Sequence, residues 1–512
     1  MKPVTDSGSL PRNTKSKVFF YSLFLIGLLS IFLLQNHKDG FGLDHHGSLS
    51  AHGATLAKNL SLKSNLLIIN DASLIDNNKI IYDVYNRFPI FPFLIIKLVF
   101  SVFEPNLSWQ IYAGRQLMNF FLSLSILLIF LTVKQILKEL YLSLSIAFMT
   151  FSSFYILYYG DMIFNDIPAL FGFSLALYAV TKCRTGNLPR KYIILMAMLA
   201  ISMGWQPYAV FLAWFSLDLF DFPQEKGSRF RQFLGKPSSL ALISSIAWGI
   251  IILGGQVTDE LLTVGSRFWH IGTWDSMGWR LGLASPEKYL PYKDTLKWSY
   301  FLGQQSMEIA FMFLPAFGGS IIGNMAYTII WGIIIFILFV LSIRKVTLTF
   351  TSKELINLAI IFLSGFFWSL PMKHFVTFHD FQAIFYLGIP VVTYIGLSFY
   401  SRWFNSKIFA VLVILFFIFN SHYINARKNL AAPPINQVTS EFHNIYNLLP
   451  KPSKVYFDDN KWITETGYHG IDFYLSGHYF TPVNKADYII SANRNYNHQR
   501  LTNNPKYNLF KR

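Results

Sequence analysis

The chain contains 512 residues, of which 53% are hydrophobic, 18% are aromatic and only 14% are charged, and its formal net charge is +16. A soluble globular domain carries about 25% charged residues, so this composition excludes an ordinary soluble enzyme and indicates that a lipid bilayer is the main solvent. Nucleic acid is not an expected partner, because Lys and Arg lie mainly in short loops between apolar runs, where membrane topology and anionic lipids account for them. The single cysteine, Cys183, excludes an intramolecular disulfide, a CxxC redox pair and a Cys-rich zinc site.

Apolar runs of about twenty residues recur along most of the chain, and each is long enough to cross a hydrocarbon core of about 30 Å as a helix. The strands of a membrane barrel would be shorter and would alternate in polarity. We therefore predict an all-α polytopic membrane protein with about eleven transmembrane helices. The predicted spans are 17–35, 110–133, 140–158, 163–181, 191–204, 206–222, 238–256, 323–343, 355–370, 383–400 and 406–422.

The basic residues of the short loops determine the orientation of these spans through the positive-inside rule. These basic residues all lie on the same side of the membrane as the N-terminus if the apolar stretch 88–103 does not cross the bilayer. Its early prolines and short length predict a juxtamembrane or re-entrant segment instead. The first span is followed by no small-residue cleavage site, so we expect a retained signal anchor. The residues placed inside are Lys2, Arg12, Lys15, Lys17, Lys134, Lys138, Lys182, Arg184, Arg190, Lys191, Lys226, Arg229, Arg231, Lys236, Arg344, Lys345, Lys353, Arg402 and Lys407.

This topology predicts a cytoplasmic N-terminal tail (1–16), a transmembrane domain (17–422) and a C-terminal periplasmic or extracellular segment (423–512). The other ionisable residues gather in the outer segments, chiefly a first loop with juxtamembrane helices (36–109) and a large later loop (257–322). The C-terminal segment contains two predicted strands, KVYFDD and ADYIIS, which indicate a small α/β unit of marginal size for a core of its own. We expect the chemistry on this outer face.

The first outer loop contains two candidate groups. The sequence FGLDHHG places Asp44, His45 and His46 after the first span, where a carboxylate beside imidazoles can act as a general base or bind a metal. The alternative is a solvated loop. Later in the loop, YNRFPIFP places Arg87 before two prolines at the predicted membrane surface. A guanidinium there can bind a lipid phosphate through several donors, or it can simply extend to the interface.

Two later turns add further candidates. In YYGDMIFNDIPALFG, Asp161 and Asp166 flank a turn between spans. Carboxylates at that depth are costly unless they are functional, although Asp166 can also be the N-cap of the next helix. In LPMKHFVTFHDF, cationic and imidazole side chains can neutralise an anionic leaving group, with local loop hydrogen bonds as the alternative. The candidates in this second turn are Lys373, His374, His379 and Asp380.

The large outer loop contains a fifth candidate segment, SRFWHIGTWDSMGWRLG, which mixes Trp, His, Asp and Arg. Interfacial belts account for most tryptophans of membrane proteins, but Trp274 is also a candidate for stacking on a sugar ring. All five segments lie on the same predicted side of the membrane. Because the topology rests on the basic residues of the inner loops alone, this coincidence supports a common site.

The order of these features resembles the GT-C superfamily of lipid-dependent glycosyltransferases, especially bacterial aminoarabinose transferase and enzymes similar to protein O-mannosyltransferase. The resemblance covers most of residues 1–240 and rests on four strings: LDHHG after one span, NRFPIFPFLIIKLVF, YAGRQLMNFF with Arg115, and the acidic-Pro turn NDIPALFG. FHDFQAIFYLGIP is similar to the late loop that closes the family's site. The chain departs from the family at 86–89, where Asn-Arg-Phe-Pro replaces the usual His-Pro-Pro, and at His45, where many relatives have a second acid.

This resemblance implies a GT-C fold and the inverting transfer of a sugar from a polyprenyl-phosphate donor to lipid A or its core, a glycan or a protein. It implies Asp44 as the catalytic base, with Asp161 and Asp166 as an acidic pair. Arg87 would contact the donor phosphate, helped by Lys373, His374 or His379, and His45, His46, Asp380 and Trp274 would contact substrates. No cofactor is required, although a divalent metal at Asp44, His46 and Asp166 is an alternative. The expected partners are donor, acceptor and membrane lipids, with the protein a monomer in the inner membrane.

Two other functions stay open. A transporter or flippase of lipid-linked sugars would also have many spans, but it more often shows repeated halves with broken helices near the membrane midplane. A polymerase or ligase of lipid-linked glycans shares the donor but typically relies on a large outer loop rich in Arg and His. The loop 257–322 keeps this second alternative open.

Overall fold

The structure is a computed structural model that describes most of the membrane region and parts of the C-terminal segment. The described residues are 12–34, 41, 45–60, 67–76, 79–104, 106–186, 188–220, 234–265, 268, 273–281, 297–315, 325–400, 405–431, 444–445, 447–450, 453–458, 479–480, 484, 486–491, 499–501 and 508–511. All structural statements below concern these residues.

The described chain is mostly helical. Its α-helices are α1 (Arg12–Leu34), α2 (His45–Asn59), α3 (Phe91–Val102), α4 (Leu107–Leu137), α5 (Leu140–Phe151), α6 (Phe154–Tyr159), α7 (Asp166–Arg184), α8 (Arg190–Met203), α9 (Pro207–Phe220), α10 (Pro237–Val264), α11 (Thr273–Arg280), α12 (Trp298–Phe311), α13 (Met325–Thr349), α14 (Ser352–Ser369), α15 (Lys373–Phe378), α16 (Gly388–Ser398) and α17 (Ser406–Ala431). A 3-10 helix, Asp380–Leu387, leads directly into α16.

Six helical segments of the described chain are long and apolar enough to cross a membrane: Ser16–Leu34, Leu107–Leu137, Pro237–Val264, Ile329–Thr349, Asp380–Ser398 and Ser406–Lys428. The longest, α4, has 31 residues. At about 1.5 Å per residue it exceeds the thickness of the hydrocarbon core. These helices indicate an integral membrane protein that crosses the bilayer several times, and a helix also lies at each of the other predicted spans.

The predicted span 140–158 is interrupted in the structure. α5 ends at Phe151 and α6 begins at Phe154. Between them, Ser153 forms a β-bridge with Pro315, and the backbone N–H of Phe154 donates to Leu314 O at 2.9 Å. The residues that follow α12 therefore take over a backbone hydrogen bond, and the prediction of one continuous helix is wrong at this point.

The stretch 88–103 contains only α3, a helix of 12 residues with Pro92 in its first turn. A helix of this length is about 18 Å long, which is too short to cross the hydrocarbon core. Lys97 of α3 donates to Lys58 O at the end of α2, at 3.1 Å. α3 thus packs with the first outer loop, in agreement with the prediction that this stretch does not cross.

Strands occur in both outer segments. β1 (Ile68–Asp76) and β2 (Lys79–Val84) form an antiparallel hairpin in the first outer loop, where only helices were predicted. Apolar runs on both sides of the string DNN are the sequence signal for this turn. The C-terminal sheet has the order β4-β3-β5-β7-β6. Its strands are β3 (Lys454–Asp458), β4 (Tyr479–Phe480), β5 (Tyr488–Ser491), β6 (Gln499–Arg500) and β7 (Asn508–Lys511), so both strands predicted there are confirmed.

Two glycines bring outer elements close to the membrane helices. A Cβ at Gly53 of α2 would lie 2.0 Å from the carbonyl oxygen of Ile163, in the turn before α7. A Cβ at Gly388 would lie 1.9 Å from the carbonyl oxygen of Ile361 in α14. Any larger residue would force these backbones apart. Gly53 therefore lets α2 lie against the turn that holds the buried carboxylates, and Gly388 lets the start of α16 lie against α14.

Candidate functional site

The first polar cluster, called here the Asp161 cluster, consists of His46, Asp161 and Lys428. His46 Nε2 lies 2.9 Å from Asp161 Oδ1, and Lys428 Nζ lies 2.5 Å from the same oxygen. Asp161 is 0% exposed, His46 4% and Lys428 8%. A buried carboxylate is costly unless it is paired, so the ammonium of Lys428 keeps Asp161 ionised. An ionised carboxylate only accepts hydrogen bonds, and His46 Nε2 therefore carries the proton that it donates.

Tyr159 connects the Asp161 cluster to the 3-10 helix. Its ring stacks on the imidazole of His46, with 6.2 Å between the ring centroids. Its hydroxyl donates to Asp380 Oδ2 at 2.8 Å. Two predicted substrate-binding residues, His46 and Asp380, thus lie on opposite sides of one tyrosine.

Asp166 is held by a chain of side-chain hydrogen bonds. Gln382 Nε2 donates to Asp166 Oδ1 at 2.5 Å, and Trp368 Nε1 donates to Gln382 Oε1 at 3.0 Å. Asn165, not Asp166, occupies the N-cap position of α7, and no side chain caps this helix end. The interpretation of Asp166 as an N-cap is therefore wrong. Its carboxylate, which is 0% exposed, instead faces the 3-10 helix.

An apolar groove with a volume of about 500 Å³ lies beside Trp368. Its walls come from the start of α9, from α10, from α11 and from the end of α14, and its polar members are Asn86, Arg87, Thr273 and Arg280. Ile250 on the α10 wall is 65% exposed, so this side of the groove opens toward the surrounding lipid. The groove combines an apolar wall with a cationic end.

Arg280 is the most deeply buried cation of this end, with 6% of its surface exposed. Its guanidinium carbon lies 4.2 Å from the ring centroid of Phe375 and 5.1 Å from that of Phe88. The pKa of Arg280 is lowered to about 10, chiefly by burial and in part by the charge of Arg87, while Tyr85 and Asp166 oppose the shift. Arg280 therefore stays charged at neutral pH, and Asp166 is near enough to act on that charge.

Among the described residues, neither arginine has a counter-ion. The guanidinium of Arg87 lies over the ring of Tyr85, 4.1 Å from its centroid. Arg280 Nη1 lies 3.5 Å from Arg87 O, and Arg280 Nε has no hydrogen-bond partner in the described part of the chain. No described carboxylate lies within ion-pair distance of either arginine. Unpaired guanidinium groups beside an apolar groove are suited to an amphipathic anion.

The other predicted phosphate contacts are Lys373 and His374 at the start of α15 and His379 directly after its end. The Lys373 ammonium lies 4.3 Å from the ring centroid of Trp298. Burial and the neighbouring Lys373 both lower the pKa of His374, and His379 Nδ1 lies 2.8 Å from Phe375 O in its own segment. None of these three is among the described groove-lining residues. α15 reaches Arg280 through Phe375 instead.

Three predicted residues of the outer loops receive little or no structural test. Asp44 lies outside the described residues, and His45 is described only as the first residue of α2. Trp274 is 57% exposed on α11, as expected for an interfacial tryptophan. The roles assigned to these residues stay predictions.

The predicted metal group of Asp44, His46 and Asp166 is described only in part, because Asp44 lies outside the described residues. No group of three His, Cys, Asp or Glu side chains able to hold an ion occurs among the described residues. The Nε2 atom of His46 faces Asp161, and an amide of Gln382 donates to Asp166. The metal group stays a prediction.

Lys428 and Gln382 were not predicted from the sequence, and Arg280 was not distinguished from the other residues of its Trp-rich segment. Lys428 had a detectable signal, because it follows the last span on the predicted outer side, where the positive-inside rule does not lead us to expect a basic residue. A basic residue on the wrong side indicates a specific partner. Gln382 had no such signal, since neutral amides are common at membrane surfaces.

Neither a protein-family model nor a curated protein sequence matches the chain. Among solved structures, the archaeal oligosaccharyltransferase AglB from Archaeoglobus fulgidus, in complex with an inhibitory peptide and a dolichol-phosphate, is similar with a TM-score of 0.53 and 13% identity, over 93% of this chain and 70% of AglB. The same oligosaccharyltransferase tethered with an acceptor peptide matches with a TM-score of 0.50 and 13% identity, over 93% of this chain and 69% of that one.

ArnT from Cupriavidus metallidurans bound to undecaprenyl phosphate is a more distant match, with a TM-score of 0.45 and 10% identity over 98% of both chains. The similarity to AglB extends over nearly the whole chain. The protein therefore has the predicted GT-C-type fold, with a mostly helical membrane region and a small C-terminal sheet.

Proposed function

We propose that this protein is an inverting glycosyltransferase that moves a sugar from a polyprenyl-phosphate donor to an envelope acceptor on the outer face of the cytoplasmic membrane. The proposal rests on one observation, which is that an apolar, a cationic and an acidic environment lie next to one another. The apolar groove ends at Arg87 and Arg280, and the charge of the buried Asp166 acts on Arg280. A lipid tail, a phosphate and a reacting sugar require these environments in this order.

The groove provides the site for the isoprenoid chain. Its volume of about 500 Å³ lies within the range of about 300–1,000 Å³ that is usual for ligand sites. Its opening beside Ile250 allows a lipid to enter from the bilayer without leaving it. AglB, which shares the fold, was solved with a dolichol-phosphate.

The two arginines hold the donor phosphate. A guanidinium offers several donors in a planar fork that matches phosphate oxygens, and Arg280 Nε is a buried donor still without a partner among the described residues. Lys373, His374 and His379 approach the leaving group from the rim on the α15 side. Their contribution is secondary, because they lie outside the described lining of the groove.

The proposed reaction is a single displacement. Asp44 takes the proton of the acceptor hydroxyl, and the acceptor oxygen attacks the anomeric carbon as the bond from that carbon to the phosphate oxygen breaks. The electron pair leaves with the phosphate, whose added charge Arg87 and Arg280 stabilise. One attack at one carbon inverts its configuration and requires no covalent enzyme intermediate.

The remaining carboxylates and polar side chains orient the substrates. Asp166, fixed by Gln382, acts electrostatically on Arg280 and accepts hydrogen bonds from the reacting sugar. Asp161 acts through His46, which it holds in one tautomer. His45, Asp380 and Trp274 complete the proposed contacts to donor and acceptor.

The proposal includes the finer topology. About eleven helices cross the bilayer, with the N-terminus in the cytoplasm and the C-terminal sheet outside. Asp161, Asp166 and the arginine end of the groove then face the outer side, where envelope acceptors such as lipid A or its core, another glycan or a protein are available. The proposed functional unit is a monomer.

The test is the release of polyprenyl phosphate from polyprenyl-phosphate sugars by the purified full chain in lipid nanodiscs, with envelope extracts as acceptors. We expect release by the wild type and its loss by about 10²–10⁴-fold in Asp44→Asn, the usual contribution of a general base. Release at the wild-type rate by an Asp44→Asn protein that inserts normally would remove Asp44 from the mechanism. A flippase would move donors without consuming them, and a ligase or polymerase would transfer a whole glycan, so both alternatives give different products.

A further inference from the structure

The segment 86–88, which brings Arg87 to the end of the groove, is held at each of its carbonyls by a side chain from another part of the chain. Thr273 Oγ1 lies 3.0 Å from Asn86 O, Trp205 Nε1 donates to Arg87 O at 3.1 Å, and Gln256 Nε2 donates to Phe88 O at 3.0 Å. The segment belongs to no helix or strand. These side chains therefore replace the backbone partners that regular structure would supply.

Glu260 lies at the centre of this arrangement. It stands near the end of α10 and is 0% exposed. Its Oε1 accepts from the backbone N–H of Thr273 at 2.8 Å, and its Oε2 lies 2.5 Å from Thr273 Oγ1 and 3.2 Å from Asn86 Nδ2. The Thr273 hydroxyl has one proton and donates either to Glu260 or to Asn86 O. No Lys, Arg or His of the described ranges pairs with this carboxylate.

The contacts of Asn86 extend the arrangement on both sides. Asn86 Oδ1 accepts from the backbone N–H of Leu67 at 2.8 Å, and Asn86 Nδ2 also donates to Gln256 O at 3.2 Å. Asn86 immediately precedes Arg87. Thr273 begins α11, an eight-residue helix that ends at Arg280. One carboxylate therefore controls the anchor points of both arginines.

We propose that Glu260 is a positioning residue that latches segment 86–88 to α11 and so sets the spacing of Arg87 and Arg280 on the donor phosphate. This role rests on the proposed function. A carboxylate suits it because its two oxygens accept from the backbone N–H of Thr273 and from the amide of Asn86, and it brings no donor of its own. A buried carboxylate without a cation is costly, and here several hydrogen bonds compensate for that cost.

The latch is tested with Glu260→Gln and Thr273→Val in the full chain in nanodiscs. Glutamine keeps the shape but adds an NH₂ that opposes the donors of Asn86 and Thr273, whereas valine removes only the hydroxyl. We expect either variant to raise the KM for the polyprenyl-phosphate sugar by about tenfold, the usual size for loss of a buried hydrogen bond to a charged group. A merely structural role would reduce the amount of active protein, which lowers kcat and leaves KM unchanged.

Thr132→Val is the matched control for Thr273→Val. Thr132 is equally buried, and its hydroxyl donates to Leu128 O within its own helix, at 2.8 Å. We expect it to leave KM at the wild-type value. If Glu260→Gln fails to insert, Thr273→Val still decides the question, because it retains the carboxylate and the backbone hydrogen bond.

Binding of undecaprenyl phosphate alone separates the latch from the proposed function. Weaker binding by Arg280→Gln, Glu260→Gln and Thr273→Val than by the wild type supports both. Binding that Arg280→Gln weakens, but that Glu260→Gln and Thr273→Val leave at the wild-type level, overturns the latch and leaves the function standing. Failure of the wild type to bind any polyprenyl phosphate overturns the proposed function, and this role of Glu260 with it.

Discussion

The Asp161 cluster and the arginine end of the groove are both buried polar sites, but their charges are balanced in opposite ways. Asp161 has the ammonium of Lys428 and the imidazole of His46 on one oxygen. In the described part of the chain, Arg280 is contacted by aromatic rings, a backbone carbonyl and the hydroxyl of Tyr85, and its Nε has no partner. Among the described residues, the first site is neutralised by an ion pair and the second is not.

Buried charges can have two functions, which are to stabilise the fold and to bind a charged ligand. Breaking an internal pair leaves an uncompensated ion, so the partners of the pair stabilise the fold. A cation that is buried without a counter-ion costs stability, but it is prepared for a ligand of opposite charge. We therefore expect changes in the Asp161 cluster to affect folding first, and changes at the arginine end to affect donor binding first.

The largest expected effect is on stability and comes from Lys428→Met. This variant leaves the Asp161 carboxylate buried without its cation, which typically costs about 3–5 kcal/mol of unfolding free energy. Thermal or denaturant unfolding in detergent measures it. Arg427→Met, at the exposed neighbouring position, is the control and should stay close to the wild type. Equal effects of the two variants would show that the ion pair does not stabilise the fold.

The second effect is on activity and comes from Arg280→Gln. Hydrogen bonds to charged groups contribute about 1.5–3 kcal/mol, so kcat/KM for the donor should fall by about 10- to 100-fold while thermal stability is unchanged or higher.

Arg184→Gln is the matched control. Arg184 is paired with Asp218 at 2.9 Å and with Asn357 at 2.6 Å, on the predicted inner side. Its loss should reduce stability and leave the donor KM unchanged. The reverse pattern in the two variants would contradict the comparison between paired and unpaired cations.

The third effect sharpens the role of Asp166. Gln382→Leu removes the amide that donates to its carboxylate, so the orientation of Asp166 is lost and kcat should fall by about tenfold. Trp368→Phe removes only the indole N–H that holds Gln382 and should have a smaller effect in the same direction. Steady-state kinetics on both variants measure this order. A larger loss in Trp368→Phe would mean that the groove wall, and not the hydrogen-bond chain, matters to the reaction.

The smallest effect is a pH dependence. The pKa of Arg280 is lowered from its ordinary value to about 10, chiefly by burial. Its charge, and with it part of the affinity for polyprenyl phosphate, is present at neutral pH and declines as the pH rises through about 10. The unfolded chain keeps this proton to a higher pH than the folded protein, so the free energy of unfolding rises as the pH increases above about 10. Binding measured across this range should weaken in the wild type and less in Arg280→Gln; identical profiles would exclude Arg280 as the titrating group.

The membrane helices could be predicted because their signal is local. The length of an apolar run alone decides whether it can cross the bilayer, and α4, α10 and α13 all lie where such runs predict them. The break between α5 and α6 could not be predicted in this way. It depends on Pro315 and Leu314, which lie far along the chain but contact Ser153 and Phe154 in the fold.

The candidate site could be predicted in part. The strings around His46, Asp161, Asp166 and Asp380 were predicted to share one site, and the structure brings these segments together through Gly53 and the 3-10 helix. The sequence did not indicate which of these residues form pairs with one another.

The sequence by itself determined that this is a polytopic membrane protein, which side of its membrane we expect to carry the chemistry, and which short segments contain the acids. These are properties of apolar length and charge that act within a few residues of one another. Only the tertiary structure decided that Lys428 neutralises Asp161, 267 residues before it in the chain, and that Arg280 meets Arg87 at the end of a lipid-sized groove. Buried charges are balanced by whatever helix packing places beside them, and that geometry is absent from a one-dimensional pattern.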